Sequence, residues 1–215
     1  MSAPDERTAP SAPARRPGRT AAIAAGFAAV AGLLGWQAWR TTVEKPRVAA
    51  LALAEERFGI DRADVPAPDF RHPALDGGTF SVSQSRGQVL FVNFWATWCP
   101  PCRDELPSML ALGQELGARH PGRFRMVAVS VDDGWDPVRA FFGARPPLGL
   151  TVTLDTDQLA TRAYYCAARG ACPDSFKFPE TYIVDKRGRL VAFLVGPRNW
   201  SQPAARSFLE RLIEE

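Results

Sequence analysis

Four cysteines in two close pairs, Cys99/Cys102 and Cys166/Cys172, are the residues of this sequence best suited to chemistry. The first pair lies in Trp98-Cys99-Pro100-Pro101-Cys102, directly after Val89 to Trp95, an almost continuously apolar, β-branched and aromatic run. Such a run reads as a strand buried on both faces. Beyond the cysteines, Leu106, Met109, Leu110 and Leu116 recur at helical spacing. Cys99 is therefore expected at a strand–helix junction, facing the unpaired N–H groups and positive end of the helix, which lowers a thiol pKa. Only the thiolate attacks a disulfide, so a cysteine placed there is reactive near neutral pH. Cys102, one turn on, can close a small disulfide with Cys99 and release a bound partner. The two prolines between them suit a helix start, where a missing N–H costs nothing.

Other chemistries for the pair fit less well. A zinc site needs a second ligand pair at suitable spacing. Here the second pair is wider and the only histidines are His72 and His120. Covalent haem attachment needs a histidine directly after the second cysteine, and Arg103 stands there. A copper-binding chaperone would want wider cysteine spacing and a distant histidine; His72 precedes the motif and His120 ends its helix. A peroxidase is not served by a tryptophan-flanked C-x-x-C. The formal net charge of +3, spread along the chain, argues against nucleic acid. No metal and no cofactor is expected.

The elements that must hold the pair alternate between strand and helix. Gly77-Gly78 and Gly87 punctuate a short edge hairpin around Thr79 to Ser83. After the cysteine helix come a strand (Met126 to Val131), a helix from Asp133 through Phe142, a short strand (Thr151 to Leu154) and a short helix (Asp157 to Tyr165). Thr181 to Val184 and Leu190 to Val195 form a hairpin around Asp185 to Arg189, and Gln202 to Glu214 closes the chain as an amphipathic helix. This order predicts an α/β fold with a central mixed sheet flanked by helices, an N-terminal edge hairpin and a central insertion.

Two stretches resemble one known family. Phe94-Trp95-Ala96-Thr97-Trp98-Cys99-Pro100-Pro101-Cys102-Arg103-Asp104-Glu105-Leu106-Pro107 is similar to the active-site segment of TlpA/ResA-like thioredoxin-like proteins. Pro179-Glu180-Thr181-Tyr182-Ile183-Val184-Asp185, followed by Gly188, resembles that family's cis-proline segment. The resemblance covers Val65 to the C-terminus and implies a thioredoxin-like fold and thiol–disulfide exchange. It makes Cys99 the attacking cysteine, Cys102 the resolving one and Pro179 a cis-proline that exposes nearby backbone to an extended peptide. Glu105 matches an acidic position that tunes the cysteines or handles protons; the alternative is a solvated carboxylate favoured by the helix dipole. Asn93 stands where thioredoxins proper carry a buried acid, which puts a mechanism copied from them in doubt. Pro107 matches the family's helix kink, and Trp95 and Trp98 are expected to pack and to form the rim.

Cys166-Ala-Ala-Arg-Gly-Ala-Cys172 is not required by the family pattern. It reads as a structural disulfide pinning an inserted loop, with a second redox pair or a metal site as alternatives. A disulfide closing so short a loop contributes roughly 2–3 kcal/mol in the chain-entropy model.

The N-terminal third stands apart. Residues 1–20 read as a disordered tail rich in Pro, Ala, Ser and Arg, and 21–39 carry no charge and are long enough, at about 28 Å as a helix, to span a bilayer. Trp36 and Trp39 sit where interfacial aromatics are expected. The segment Gly35-Trp36-Gln37-Ala38-Trp39 is a poor cleavage site, so an uncleaved anchor is favoured over a signal peptide. Residues 40–64 read as a stalk and 65–215 as the thioredoxin-like domain. Arginines flank the apolar segment on both sides, so charge does not orient it. An anchor and a structural disulfide together place the domain in the periplasm, on a single pass through the cytoplasmic membrane. The resemblance further implies reduction of specific disulfides for cytochrome c maturation or copper oxidase assembly. Apocytochrome c or a copper-centre assembly protein would be the substrate, and a membrane thiol-transfer protein of the DsbD type the electron source. An oxidant that donates its disulfide is the alternative within the class.

Overall fold

The computed structural model describes residues 19–172 and 174–215. The tail expected over 1–20 falls almost wholly outside the described residues, as does Pro173. The chain divides into two compact units, up to Ala50 and from Leu51 to Glu215. The first holds helix α1 (Arg19–Trp39) and a π-helical turn (Arg40–Glu44). In that turn the hydroxyls of Thr41 and Thr42 donate to main-chain carbonyls of the preceding turn. The segment expected as an anchor is thus helical, and Phe27, Leu33, Leu34, Trp36 and Trp39 are exposed. Among the described residues no helix is long and apolar enough to cross a membrane.

Helix α2 (Lys45–Phe58) spans the boundary between the units. The second unit then runs β1 (Asp61–Pro66), β2 (Arg71–Pro73), β3 (Thr79–Ser81), β4 (Val89–Trp95), α3 (Pro100–Arg119), β5 (Phe124–Ser130), α4 (Trp135–Phe142), β6 (Leu150–Leu154), α5 (Leu159–Arg169), β7 (Glu180–Val184), β8 (Arg189–Val195) and α6 (Pro203–Glu214). Six strands form one mixed sheet in the order β1-β8-β7-β4-β5-β6. β4, β5 and β6 are parallel neighbours, while β7, β8 and β1 are antiparallel to theirs. β2 and β3 form a separate antiparallel pair, which meets the main sheet through a bridge between Ala74 and Thr153.

β4 is central because all seven of its residues are buried. Fully burying an aliphatic or aromatic side chain is worth roughly 1.5–3 kcal/mol, so this strand anchors both layers. Val89, Phe91 and Trp95 face a core completed by α3, α4 and α6; Leu90, Val92 and Phe94 face one completed by α5 and the β2–β3 hairpin.

The expected stalk over 40–64 ends earlier than its composition suggests. Phe58 and Ile60 already belong to the core, and β1 pairs with β8 from Asp61 onward. None of the six β1 side chains is fully buried, which is why the apolar pattern hides it. Backbone pairing holds this edge strand, reinforced where buried Glu55 accepts from Arg62 and Arg211.

Candidate active site

Cys99 caps α3. Its backbone is extended (φ −93°, ψ 102°), Pro100 and Pro101 open the helix, and its Sγ accepts from the Cys102 N–H at 3.3 Å. The cap satisfies one of the helix's unpaired donors. Cys99 and Cys102 are joined as a disulfide with Cα atoms 5.4 Å apart, both almost wholly buried. Once reduced, the Cys99 sulfur would face the same donors, the condition that favours a thiolate.

The turn before Cys99 is held from the side. Cys99 N–H donates to Ala96 O, and the Thr97 N–H and hydroxyl donate to Asp132 at 3.0 and 2.7 Å. Ser130 donates to the same carboxylate at 2.6 Å. Asp132 is 1% exposed. Sequence reasoning did not single out Asp132, Ser130 or Thr97; an acidic residue at a strand end looks like any solvated turn. Trp98 projects from this turn, 62% exposed, its ring edge-on to Phe178 with centroids 6.2 Å apart.

Glu105 is 3% exposed and is not a solvated first-turn carboxylate. Asn93 Nδ2 donates to its Oε1 at 2.9 Å, while Arg198 N–H and Trp200 Nε1 donate to Oε2 at 3.0 and 3.1 Å. Burial raises its pKa above the ordinary carboxylate range, and those hydrogen bonds, led by Arg198 N–H, work against the rise. Beside it lies a cavity of about 470 Å³ lined by Asp104, Pro107, Ser108, Pro197, Arg198 and Asn199.

Asn93 also donates to Thr181 Oγ1 at 3.0 Å. It therefore ties Glu105 to β7, the strand that follows Pro179. The Phe178–Pro179 bond is cis, and Pro179 is buried. Neither Arg198 nor Trp200 carries a local sequence signal for this role, since both lie more than ninety residues from Glu105.

Cys166 and Cys172 form a second disulfide, with Cα atoms 4.5 Å apart, from the last turn of α5 to the loop before Phe178. His72 lies on β2, 3.9 Å from Asp155, and His120 ends α3. Among the described residues no group of three or more His, Cys, Asp or Glu side chains is placed to hold a metal ion.

This arrangement, a buried disulfide at a helix N-terminus beside a cis-proline strand and a buried carboxyl tied to that strand, suits two-electron exchange between thiols and a disulfide. Comparison with known proteins agrees with the geometry. The model of the AhpC/TSA family matches residues 63–193. The chain is 30% identical to the thioredoxin-like protein YneN of Bacillus subtilis (strain 168), over 77% of this chain and 83% of that one. It is 31% identical to the thiol-disulfide oxidoreductase ResA of the same organism, over 60% of this chain and 65% of that one. Among solved structures, a putative thiol:disulfide interchange protein DsbE from Chlorobium tepidum superposes with a TM-score of 0.55 at 28% identity, covering 72% of this chain and 96% of that one.

Proposed function

The chain belongs to the AhpC/TSA family, and from that premise we propose that it is a membrane-tethered reductant of specific protein disulfides outside the cytoplasm. By its similarity to ResA and DsbE proteins the chain is a thioredoxin-like thiol–disulfide oxidoreductase of that type. The proposal is carried by the Cys99–Cys102 pair at the N-terminus of α3, the helix whose Glu105 Asn93 ties to the cis-proline strand.

In this reading the Cys99 thiolate attacks a substrate disulfide, forming a mixed disulfide and releasing one substrate thiolate. Cys102 then attacks the Cys99 sulfur and expels the second substrate sulfur as a thiolate, the Cys99–Cys102 disulfide remains, and the two substrate thiolates take their protons from solvent. Two electrons pass to the substrate. Glu105 takes the Cys102 proton, a role supported by its burial and raised pKa. Pro179 presents backbone to the incoming peptide. The electrons are restored by a membrane thiol-transfer protein of the DsbD type, and the substrate is apocytochrome c or a copper-centre assembly protein. Both partners rest on the resemblance to the TlpA/ResA-like group. Tethering is supported by the exposed apolar residues of α1, and the oxidising compartment by the second disulfide.

A reduced Cys102→Ser variant tests this reading, because it cannot resolve the mixed disulfide on Cys99. Mass spectrometry of what it traps in cells should find an exported apocytochrome c or copper-assembly protein. Trapping of cytoplasmic proteins alone would overturn the location, and trapping of neither class would overturn the substrate.

A further inference from the structure

The second disulfide takes no part in the exchange steps above, yet its surroundings are specific. α5 ends at Arg169, where Gly170 turns left-handed (φ 69°) and its N–H donates to Cys166 O at 2.8 Å. Glycine makes that turn without a steric penalty. The Cys166–Cys172 bond crosses this helix end. Between the two cysteines stands Arg169, and its side chain is largely buried. The guanidinium lies 3.6 Å from the centroid of Tyr165 and 4.6 Å from that of Phe193. It donates to Glu180 Oε1 at 3.2 Å and to the Tyr182 hydroxyl at 3.1 Å. The Tyr182 hydroxyl in turn donates to Glu180 Oε2.

Glu180 is 4% exposed and directly follows Pro179. A carboxylate so buried needs a paired cation. Among the described residues Arg169 is the cation it has. Glu180 also pairs with Phe94 on β4, and Phe178, on the other side of Pro179, meets Trp98. In the sheet the docking segment is paired with β4 on one side and β8 on the other, where Gly196 N–H donates to Pro179 O at 2.9 Å, and the disulfide-closed loop reaches the Glu180 side chain through Arg169.

We propose that Arg169 is a positioning residue for substrate docking: the Cys166–Cys172 disulfide fastens the end of α5, Arg169 holds Glu180, and Glu180 fixes the strand that presents Pro179. This rests on the reading that substrates dock as extended peptides on that segment. The sulfur chemistry of Cys99 and Cys102 does not pass through Arg169. Loss of the clamp therefore weakens peptide docking and leaves the exchange step itself intact.

The test uses the fully oxidised full-length protein in single turnover with a synthetic peptide dithiol carrying one Cys-Ala-Ala-Cys-His segment. The peptide is oxidised to its disulfide, the Cys99–Cys102 disulfide is reduced to two thiols, and two protons pass from peptide to protein sulfurs. Mapping after alkylation assigns the electrons to Cys99 and Cys102. Dithiothreitol, which needs no docking strand, is the control reductant. Arg169→Gln should raise the half-saturating peptide concentration about five-fold or more while the limiting rate and the dithiothreitol rate stay within about two-fold. Cys166→Ser/Cys172→Ser should shift it in the same direction, and adding Arg169→Gln to that protein should add nothing further. Arg169→Lys, which keeps the charge on Glu180, should lie between; it carries the test if circular dichroism shows Arg169→Gln unfolded. An unchanged half-saturating concentration overturns the inference alone, and additive effects of the arginine and the disulfide overturn the fastening. A wild-type protein that reacts with dithiothreitol but never saturates with peptide overturns the docking reading and this inference with it.

Discussion

Two buried carboxylates flank the cysteines, and they do different work. Glu105 has its pKa raised by burial, so in the folded protein it keeps its proton to higher pH than in the unfolded chain. Folded protein then binds more protons than unfolded protein above the ordinary value of 4.5, and stability falls as pH rises through that window. Glu105→Gln removes the titration. Its melting temperature should be flatter than that of wild type from pH 4.5 upward, and the exchange rate should lose the corresponding limb of its pH profile. Parallel melting curves and unchanged profiles would return Glu105 to a structural role. Asp132 holds Thr97 and Ser130 by three hydrogen bonds, including one to the Thr97 main chain. Asp132→Ala strands these donors, at a cost of about 1–3 kcal/mol for each group left unsatisfied. Urea denaturation should show that loss. Single-turnover exchange should slow as well, because the freed turn is the one that delivers Trp98 and Cys99.

At the scale of elements, the site depends on an edge that looks dispensable. Phe58, at the end of α2, packs its ring 5.4 Å from that of Trp200, which donates to Glu105 and also meets Phe91 at 4.6 Å. Phe58→Ala should therefore do more than open a cavity. Loss of a buried phenylalanine costs about 3–5 kcal/mol, measurable by denaturation. If Trp200 then swings away, Glu105 loses one of its donors, and its titration in the exchange profile should move further upward. A stability loss with an unmoved profile would show that the pocket around Glu105 does not need α2. The α3 N-terminus is better insulated, since its cap is Cys99 itself and its first two residues are prolines.

At the scale of the molecule, the exchange site lies wholly within the unit from Leu51 to Glu215. A chain lacking residues 1–50 should keep its single-turnover rate with a peptide dithiol to within about two-fold, since among the described residues none of the site's hydrogen-bond partners is removed. It should leave the membrane fraction on cell fractionation if the N-terminal helix is the tether. Retention of the truncated chain on membranes would place the tether elsewhere; equal solubility of both forms would remove it.

Local chemistry determined much of this protein from its sequence. The apolar run of β4, the prolines after Cys99 and the helical spacing of Leu106, Met109 and Leu116 each act within a few residues, so the strand–cysteine–helix unit was legible. Pro179 was legible too, through its resemblance to a known segment. The edge strand β1 was not, because backbone pairing rather than an apolar pattern holds it. Only the tertiary structure decided which polar residues are buried together. Asn93 reaches Thr181 across 88 residues, Trp200 reaches Glu105 across 95, and Arg169 meets Glu180 on another element. A buried Glu or Arg has the same residue type as a solvated one. What distinguishes it is the partner that offsets its desolvation, and that partner is supplied by the fold. Cys99, Cys102, Glu105 and Pro179 could thus be named in advance, while the partners that hold Glu105 and Glu180 in the interior, Arg198, Trp200 and Arg169, could not.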